Sequence, residues 1–307
     1  MFFTLIALTI VSILLVMVSK SVGFVKDSGS STIRTKAIDG FLSDVESSYL
    51  PLAARTAAYK ALQATTAYMN ATGQYLSNPE NDLGAAMLNG TVGSRAVMAN
   101  STLRNFSSQI EAFASSIYST NLRITLHSGR MNQSTPGEIL ITVNVSFVAT
   151  ADVGNWTRDN LLTTKISIEG FLDPQYLVRS GGAYKQQIRL STPFSEQWNI
   201  SGLNGLVSSG NYTRFEGSAS PSFLGRFRSS PPVSPCCGIE STINPAKVSP
   251  SSQQESYADY QFWQSSEECS DLYTISGGGF SHANFKLDLE HAVKYNVTDY
   301  AQPLTCP

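Results

Sequence analysis

An uninterrupted apolar run occupies the start of the chain. No charged residue occurs from Met1 to Ser19, and the stretch from Phe2 to Val18 holds only three polar side chains. An α-helix rises about 1.5 Å per residue, so about 18 residues span roughly 27 Å, close to the thickness of the hydrocarbon core of a bilayer. The pattern predicts an apolar helix over 1–18 that can span a membrane. The Ser/Gly-rich stretch 19–31 that follows is typical of a flexible joint.

Two helical patterns follow within residues 32–120. The first runs from Thr32 to about Met69, with Gly40 and Pro51 as interruptions that a helix must accommodate. Its apolar positions recur at largely helical spacing, at Ile33, Ala37, Phe41, Val45, Tyr49, Leu52, Leu62 and Tyr68.

The second pattern is a clearer helix, because its apolar positions follow steps of three and four. They are Leu103, Phe106, Ile110, Phe113 and Ile117. Asn100 or Ser101 stands where the helix cap is expected. The two patterns together predict an antiparallel helical pair. The second stripe can contact a neighbouring subunit in a coiled coil, but its short length favours burial against the chain's own first helix or sheet.

From about Asn121 the apolar period changes to two, which indicates β-strands. The firmest strand is 141–147, where Asn144 falls on the polar side, and 162–168 alternates in a similar way. Residues 184–190 are a weaker candidate. These strands predict an antiparallel, sandwich-like sheet within a β-rich region over 121–307.

The last third of the chain predicts short elements between long loops. Six prolines between 218 and 252 argue against regular structure in most of that stretch. Short strands are expected at 257–263 and 272–275, and a strand or short helix at 285–295. The predicted fold class is therefore α+β, with a long apolar N-terminal helix, a helical pair and an antiparallel β-rich domain with long loops.

Composition narrows the classes of function. Charged residues make up 14% of the chain, against a usual figure of about 25%, whereas Ser and Thr number 67 of 307 residues. The formal net charge is −2, so the chain lacks the basic field that a nucleic-acid partner requires. Three histidines and four cysteines offer little material for metal sites or acid–base chemistry.

Ten of the seventeen asparagines head an Asn-x-Ser/Thr sequon, well above the roughly four that this composition gives by chance. The excess predicts N-linked glycans and an extracellular location. The alternative is that a Ser/Thr-rich chain makes sequons by accident. The ten acceptors are Asn70, Asn89, Asn100, Asn105, Asn132, Asn144, Asn155, Asn199, Asn211 and Asn296.

The charges that flank the apolar segment conflict with that location. The first cations are Lys20, Lys26, Arg34 and Lys36, and the positive-inside rule would place the rest of the chain in the cytoplasm. A secretory signal would also open with a basic region and end in a small-residue cleavage site, and neither is present. Both observations agree if a short basic leader precedes Met1 and is removed, leaving the apolar segment as the mature N-terminus.

This organisation resembles that of type IV pilins. The start MFFTLIA is similar to the mature start of archaeal proteins with class III signal peptides, which a prepilin-type peptidase cuts before the apolar stretch. Segments 33–46, 222–226 and 237–241 resemble a little-characterised group of archaeal membrane-anchored surface proteins. Many bacterial pilins have Glu at the fifth mature position, where this chain has Leu5, so subunit registration would not depend on that carboxylate.

The resemblance implies a structural subunit of an extracellular type IV pilus-like filament. Its partners would be copies of itself, N-linked glycans, the membrane before assembly, and other cells or surfaces in adhesion. The alternative is a monomeric, membrane-anchored, glycosylated adhesin or receptor ectodomain. In a filament, the apolar helices would pack through Phe2, Phe3, Leu5, Ile6, Leu8, Ile10, Ile13, Leu14 and Met17.

The four cysteines all lie in the last quarter of the chain, at Cys236, Cys237, Cys269 and Cys306. An extracellular location favours two disulfides. Adjacent cysteines bond to each other only in a strained ring, so Cys236 and Cys237 are expected to reach separately to Cys269 and Cys306, in either connectivity.

No motif points to an enzyme, a metal site or a cofactor, and we predict none of them. Gly277–Gly279 before His282 is typical of a turn rather than of a reactive loop. Asp288 and Glu290 would share one side of a strand, as on a solvated face. The aromatic stretch 257–263 could stack on sugars, although burial is the commoner outcome.

Overall fold

The structure is a computed structural model that describes residues 31–191, 198–214, 220–248, 255–264 and 271–305. The apolar segment 1–18 with its nine candidate packing residues lies outside these ranges, as do Cys269 and Cys306. None of the helices in the described part combines the length and hydropathy of a membrane span. The described architecture is α+β with antiparallel sheets.

The first helical pattern forms one continuous helical path. It consists of α1 (Ser31–Asp44), a π-helical turn (Val45–Tyr49) and α2 (Leu50–Thr72). The π turn ends two residues before Pro51, which lacks an N–H and whose ring would press on the carbonyl of Ser47 in a regular helix. The wider turn carries the path past the proline without a break.

A helix with no counterpart among the predicted elements follows, α3 (Pro79–Asn89). Asn78 caps its start, proline occupies its first position, and Glu80 and Asp82 lie in its first turn. Gly90 ends it in the left-handed conformation. Each of these features is a helix boundary signal, so the sequence did contain the information needed to predict α3.

A short hairpin of β1 (Thr91–Val92) and β2 (Arg95–Ala96) leads to α4 (Leu103–Tyr118). The cap of α4 is Thr102, one or two residues later than predicted. It forms a capping box with Asn105, in which each side chain accepts a hydrogen bond from the other residue's backbone N–H.

The two helical patterns pack together as predicted. The ring of Phe41 in α1 lies 5.9 Å from that of Phe113 and 4.6 Å from that of Tyr118, between centroids. The end of α4 therefore lies beside α1, as an antiparallel pair requires. The apolar stripe of α4 is buried at Leu103 and half-buried at its other positions, and α4 packs against the chain's own α2 and β3, as the favoured interpretation expects.

The central element is an antiparallel meander in the order β3 (Asn121–Thr135), β4 (Glu138–Ala151) and β5 (Gly154–Ser167). Two-residue turns join the strands. The strand predicted at 141–147 is confirmed, because the apolar side chains of β4 are buried there while Asn144 is exposed.

Helices rather than a second sheet cover the buried face of this meander in the described residues, so the sandwich expected from the strand pattern is wrong there. Three side-chain hydrogen bonds join the first helical path to β5 in the same order along both elements, so the path follows the strand. They connect Asp39 to Trp156 Nε1 (2.7 Å), Glu46 to Arg158 Nη1 (2.8 Å) and Arg55 Nε to Thr164 (2.6 Å).

Long loops dominate the chain after the meander. Two short helices, α5 (Pro174–Arg179) and α6 (Ile200–Ser209), interrupt them. The stretch 184–190 forms only isolated bridges, so the strand predicted there is wrong. The loops expected at 218–252 are confirmed over the described residues 220–248, whose longest element is a single 3₁₀ turn.

The C-terminal part contains one more helix and a small sheet. The strand predicted at 257–263 is wrong, because α7 (Asp259–Gln264) begins there and its aromatic rings pack against neighbouring rings. The strand at 272–275 is confirmed, and 285–295 forms both a strand and a helix. These elements are β6 (Leu272–Ile275), β7 (Lys286–Asp288), α8 (Leu289–Lys294) and β8 (Ala301–Pro303), with sheet order β7-β6-β8.

Candidate functional site

All ten sequon asparagines lie in the described residues, and none is buried. Nine are exposed and Asn211 is half-buried. Two of them accept a backbone hydrogen bond at a helix start through the side-chain oxygen, which leaves the amide nitrogen that would carry a sugar. Asn105 completes the capping box of α4, and Asn199 caps α6. Asn296 differs, because its Nδ2 donates to the carbonyl of Trp198 at 3.0 Å. Surface exposure is what glycan attachment requires.

The disulfide in the structure differs from the expected pairing. Cys236 and Cys237 bond to each other, with their Cα atoms 3.8 Å apart as in any trans dipeptide. Neither therefore reaches Cys269 or Cys306. Cys237 is buried and Cys236 is exposed, and their sulfurs lie 3.3 and 3.9 Å from the carbonyl oxygen of Gln133. The loop that carries the disulfide thus rests against the end of β3.

Beside this loop is a cleft of about 150 Å³, between the start of α3, the end of β3 and the loop 222–234. Pro79, Leu224 and Pro232 supply apolar parts of its wall. Its polar lining consists of Glu80, Asn132, Gln133, Ser222, Arg228 and Ser234.

A β-bulge shapes one wall of the cleft. Asn132 pairs with Leu140 and Thr135 with Glu138, so two residues of β3 oppose one of β4 between these pairs. A bulge of this kind re-aims side chains. Here Asn132 is exposed while Gln133 is nearly buried, and both line the cleft.

Hydrogen bonds fix the walls. The Gln133 side chain donates to the carbonyl of Thr135 at 3.1 Å and accepts from the backbone N–H of Leu224 at 3.1 Å. Arg228 Nη1 donates to the carbonyl of Ser77 at 2.8 Å, which ties the loop to the residues before α3. The cleft is therefore largely formed before any ligand arrives.

The cleft lies at the end of the sheet remote from the start of α1. Arg34 in α1 forms an ion pair with Asp152, in the turn between β4 and β5. The cleft adjoins the other turn, at 136–137. The 14 residues of β4 that separate the two turns extend roughly 45 Å at about 3.4 Å per residue.

A buried ionic cluster is centred on Arg226, which lies between the cleft-lining residues Gly225 and Arg228 in the sequence. Arg226 Nη1 donates to Asp173 and to Asp259, each at 2.8 Å, and all three side chains are fully buried. The hydroxyl of Tyr212 donates to the same Asp173 oxygen at 2.8 Å. Burial raises the pKa of Asp259 to about 6, with Arg226 opposing that shift and Asp173 adding to it.

A second buried cluster surrounds Glu240. Its carboxylate faces His291 Nε2 at 3.3 Å and accepts from Lys294 at 2.7 Å and from Tyr295. His291 Nδ1 also lies 2.6 Å from Asp288. Burial alone would lower the pKa of His291, but the two carboxylates outweigh burial and raise that pKa to about 10.

The same contacts lower the pKa of the two carboxylates that face His291. Burial alone would raise the pKa of Glu240, but His291 and Lys294 lower it to about 2. Glu240 and His291 are therefore a charged pair with fully buried side chains. Each charge of the pair has a second opposite charge beside it, Lys294 for Glu240 and Asp288 for His291, and these contacts offset the cost of burying the pair.

The remaining candidates of the sequence also have definite positions. Asp288 caps α8, and so the idea that it shares one side of a strand with Glu290 is wrong. Gly277–Gly279 forms a turn with left-handed backbone, as predicted. His282 contacts only Ser208 among the described hydrogen bonds, at 3.1 Å. The aromatic stretch 257–263 packs into the core.

Metal-ligating side chains do not gather in the part of the chain described here, where no group of three or more His, Cys, Asp or Glu is placed to hold an ion. No protein-family model, curated protein or solved structure matches this chain.

Proposed function

We propose that this protein is a structural subunit of an extracellular type IV pilus-like filament. Its apolar segment 1–18 would form a helix that spans the membrane before assembly and then packs against copies of itself. Head-to-tail contacts that do not close on themselves produce a helical polymer. The described domain would surround that core, carry N-linked glycans and serve surface adhesion.

The observation that carries this proposal is the uncharged apolar segment and the way in which it joins the domain. Only residues 19–30 separate it from α1. The first residues of α1 are exposed, with Ile33 42% accessible, so α1 begins at the surface of the domain. The exposed sequons further support an extracellular location.

The test uses material sheared from the producing cells, examined by electron microscopy and by mass spectrometry. We expect filaments that contain this chain. Leu5→Asp or Ile10→Asp should abolish them, because each places an unpaired charge in an apolar bundle. Leu5→Met and Ile10→Leu are the matched controls, since both keep the volume and the apolar character. Filaments that persist in both Asp variants would rule out packing through this segment.

A second candidate is a monomeric, membrane-anchored adhesin or receptor ectodomain. The position of the cleft favours it, because a site at the end of the sheet remote from α1 points away from an N-terminal anchor. In this case the chain appears only in detergent-extracted membranes. The two Asp variants then reduce membrane retention, with no filament to lose.

A further inference from the structure

The cleft contains a residue that the filament proposal does not use. Asn132 lines the cleft and also heads the sequon Asn132-Gln133-Ser134. We propose that the cleft binds the first sugar of a glycan linked to Asn132. This inference rests on the extracellular, glycosylated location in the proposed function.

The amide of Asn132 is oriented for such a link. Its Oδ1 accepts a hydrogen bond from the backbone N–H of Gln133 at 2.9 Å. Its Nδ2, the atom that bonds the sugar, takes part in no hydrogen bond among the described residues. The side chain is thus held by its oxygen while its nitrogen stays available, in contrast to Asn296, whose Nδ2 is already engaged.

The size of the cleft fits one sugar ring. Pockets for drug-sized ligands begin at about 300 Å³, whereas this cleft measures about 150 Å³. At about 30 Å³ per molecule of liquid water, it holds roughly five waters. A single ring can displace these waters, and the rest of a glycan would extend into solvent.

The chemistry of the lining fits a sugar as well. A sugar ring presents C–H groups on its faces and hydroxyl groups at its edge. Pro232 is exposed and offers apolar surface for a face. At the edge, Glu80 pairs with Arg130 through Oε2, and its other carboxylate oxygen can accept from a hydroxyl. Arg228 uses Nη1 for the Ser77 carbonyl and has further N–H groups to donate. Hydrogen bonds to charged groups are the stronger kind.

Binding a sugar would cost little conformational entropy in the cleft walls, because hydrogen bonds already hold them in place. Gln133, Arg228 and the disulfide loop are held by the contacts described above. Of the ten sequon asparagines, Asn132 alone belongs to the cleft lining. Asn144 is the natural control, because it is exposed on the open face of the same sheet.

The experiment compares the full chain in detergent, made in a host that glycosylates sequons and in one that does not. Mass spectrometry gives the occupancy of each sequon, and thermal unfolding gives the midpoint. We expect Asn132→Gln and Ser134→Ala each to lower the midpoint of the glycosylated protein by about 2–4 °C. Ser134→Ala should leave the unglycosylated protein unchanged, and Asn144→Gln should change neither form. Asn132→Gln in the unglycosylated protein measures the loss of the Oδ1 contact with the Gln133 N–H alone.

Ser134→Ala separates the glycan from its acceptor, because it removes the sequon but keeps the Asn132 side chain. Hydrogen exchange adds a local readout, since loss of the sugar should speed amide exchange in 222–234. Equal midpoints for the Asn132 and Asn144 variants, with Asn132 occupied, would overturn the inference.

The other outcomes distinguish this inference from the proposed function. If other sequons are occupied and Asn132 is not, the inference fails and the filament proposal stands. If no sequon is occupied in the native material, the glycosylated character in the proposed function fails as well. If Asn132 is bare and the cleft binds an added monosaccharide, the site serves glycans of another molecule and the inference is again wrong.

Discussion

Two glycines inside helices have opposite surroundings. A Cβ added to Gly84 in α3 would lie 2.2 Å from the carbonyl oxygen of Gly129 in β3, closer than real atoms approach. A Cβ added to Gly40 in α1 would meet nothing within 4 Å, and that position is exposed. The backbones of α3 and β3 therefore approach each other only because neither carries a side chain at this point.

We expect Gly84→Ala to lower the free energy of unfolding by at least about 1–3 kcal/mol, because the backbone of α3 or β3 must move. Gly40→Ala should raise it by about 0.5–1 kcal/mol, since alanine restricts the unfolded chain and adds no clash. Urea unfolding of the two variants measures both effects. A Gly84→Ala variant as stable as the wild type would contradict the close approach of α3 to β3.

At the scale of elements, local patterns predicted more than contacts between distant segments could. The alternation in β4 and the stripe of α4 lie within one element each, so both were predictable from spacing. The strand predicted at 257–263 was wrong. Aromatic residues favour strands by propensity, but here tertiary packing decides, because the rings of α7 pack against each other and against Tyr176. Cys236 and Cys237 were predicted to form disulfides with two other cysteines, and the bond that joins them to each other was not predicted.

The capping box of α4 provides a test at the same scale. In the unglycosylated protein, Thr102→Ala should lower the free energy of unfolding by about 1 kcal/mol, because the backbone N–H of Asn105 loses its acceptor. Thr102→Ser keeps the hydroxyl and should have a smaller effect. Chemical denaturation of both variants measures the difference. Equal losses for alanine and serine would assign the effect to the methyl group rather than to the cap.

At the scale of the whole molecule, the sequence could not assemble the cleft or the ionic clusters. The cleft unites three segments, at 79–80, 132–133 and 222–234, and its sequon was the one part that the sequence identified. Asp173, Arg226 and Asp259 likewise come from three loops or loop ends. No spacing rule joins residues that far apart, because long loops without periodicity connect them.

These clusters set how stability depends on pH. The raised pKa of His291, about 10, means that its contribution is complete below pH 6.5 and is lost as the pH rises through 10. The lowered pKa of Glu240, about 2, means that its contribution is complete above pH 4.5 and is lost as the pH falls through 2. Asp259 acts like His291, and its contribution is lost as the pH rises from 3.8 through about 6. Stability should therefore be greatest in mildly acidic solution.

Glu240→Gln tests this account on both sides of the pH profile, since it keeps the shape and removes one charge. The acid-side loss near pH 2 should weaken, because the group that titrates there is gone. The alkaline loss should move to lower pH, because His291 keeps only Asp288 as a carboxylate partner. Urea midpoints from pH 2 to 10 measure both changes, with Glu138→Gln as the matched control, since it removes one carboxylate from an exposed ion pair with Lys165. If Glu240→Gln and Glu138→Gln give the same profile, the buried pair does not govern the pH dependence.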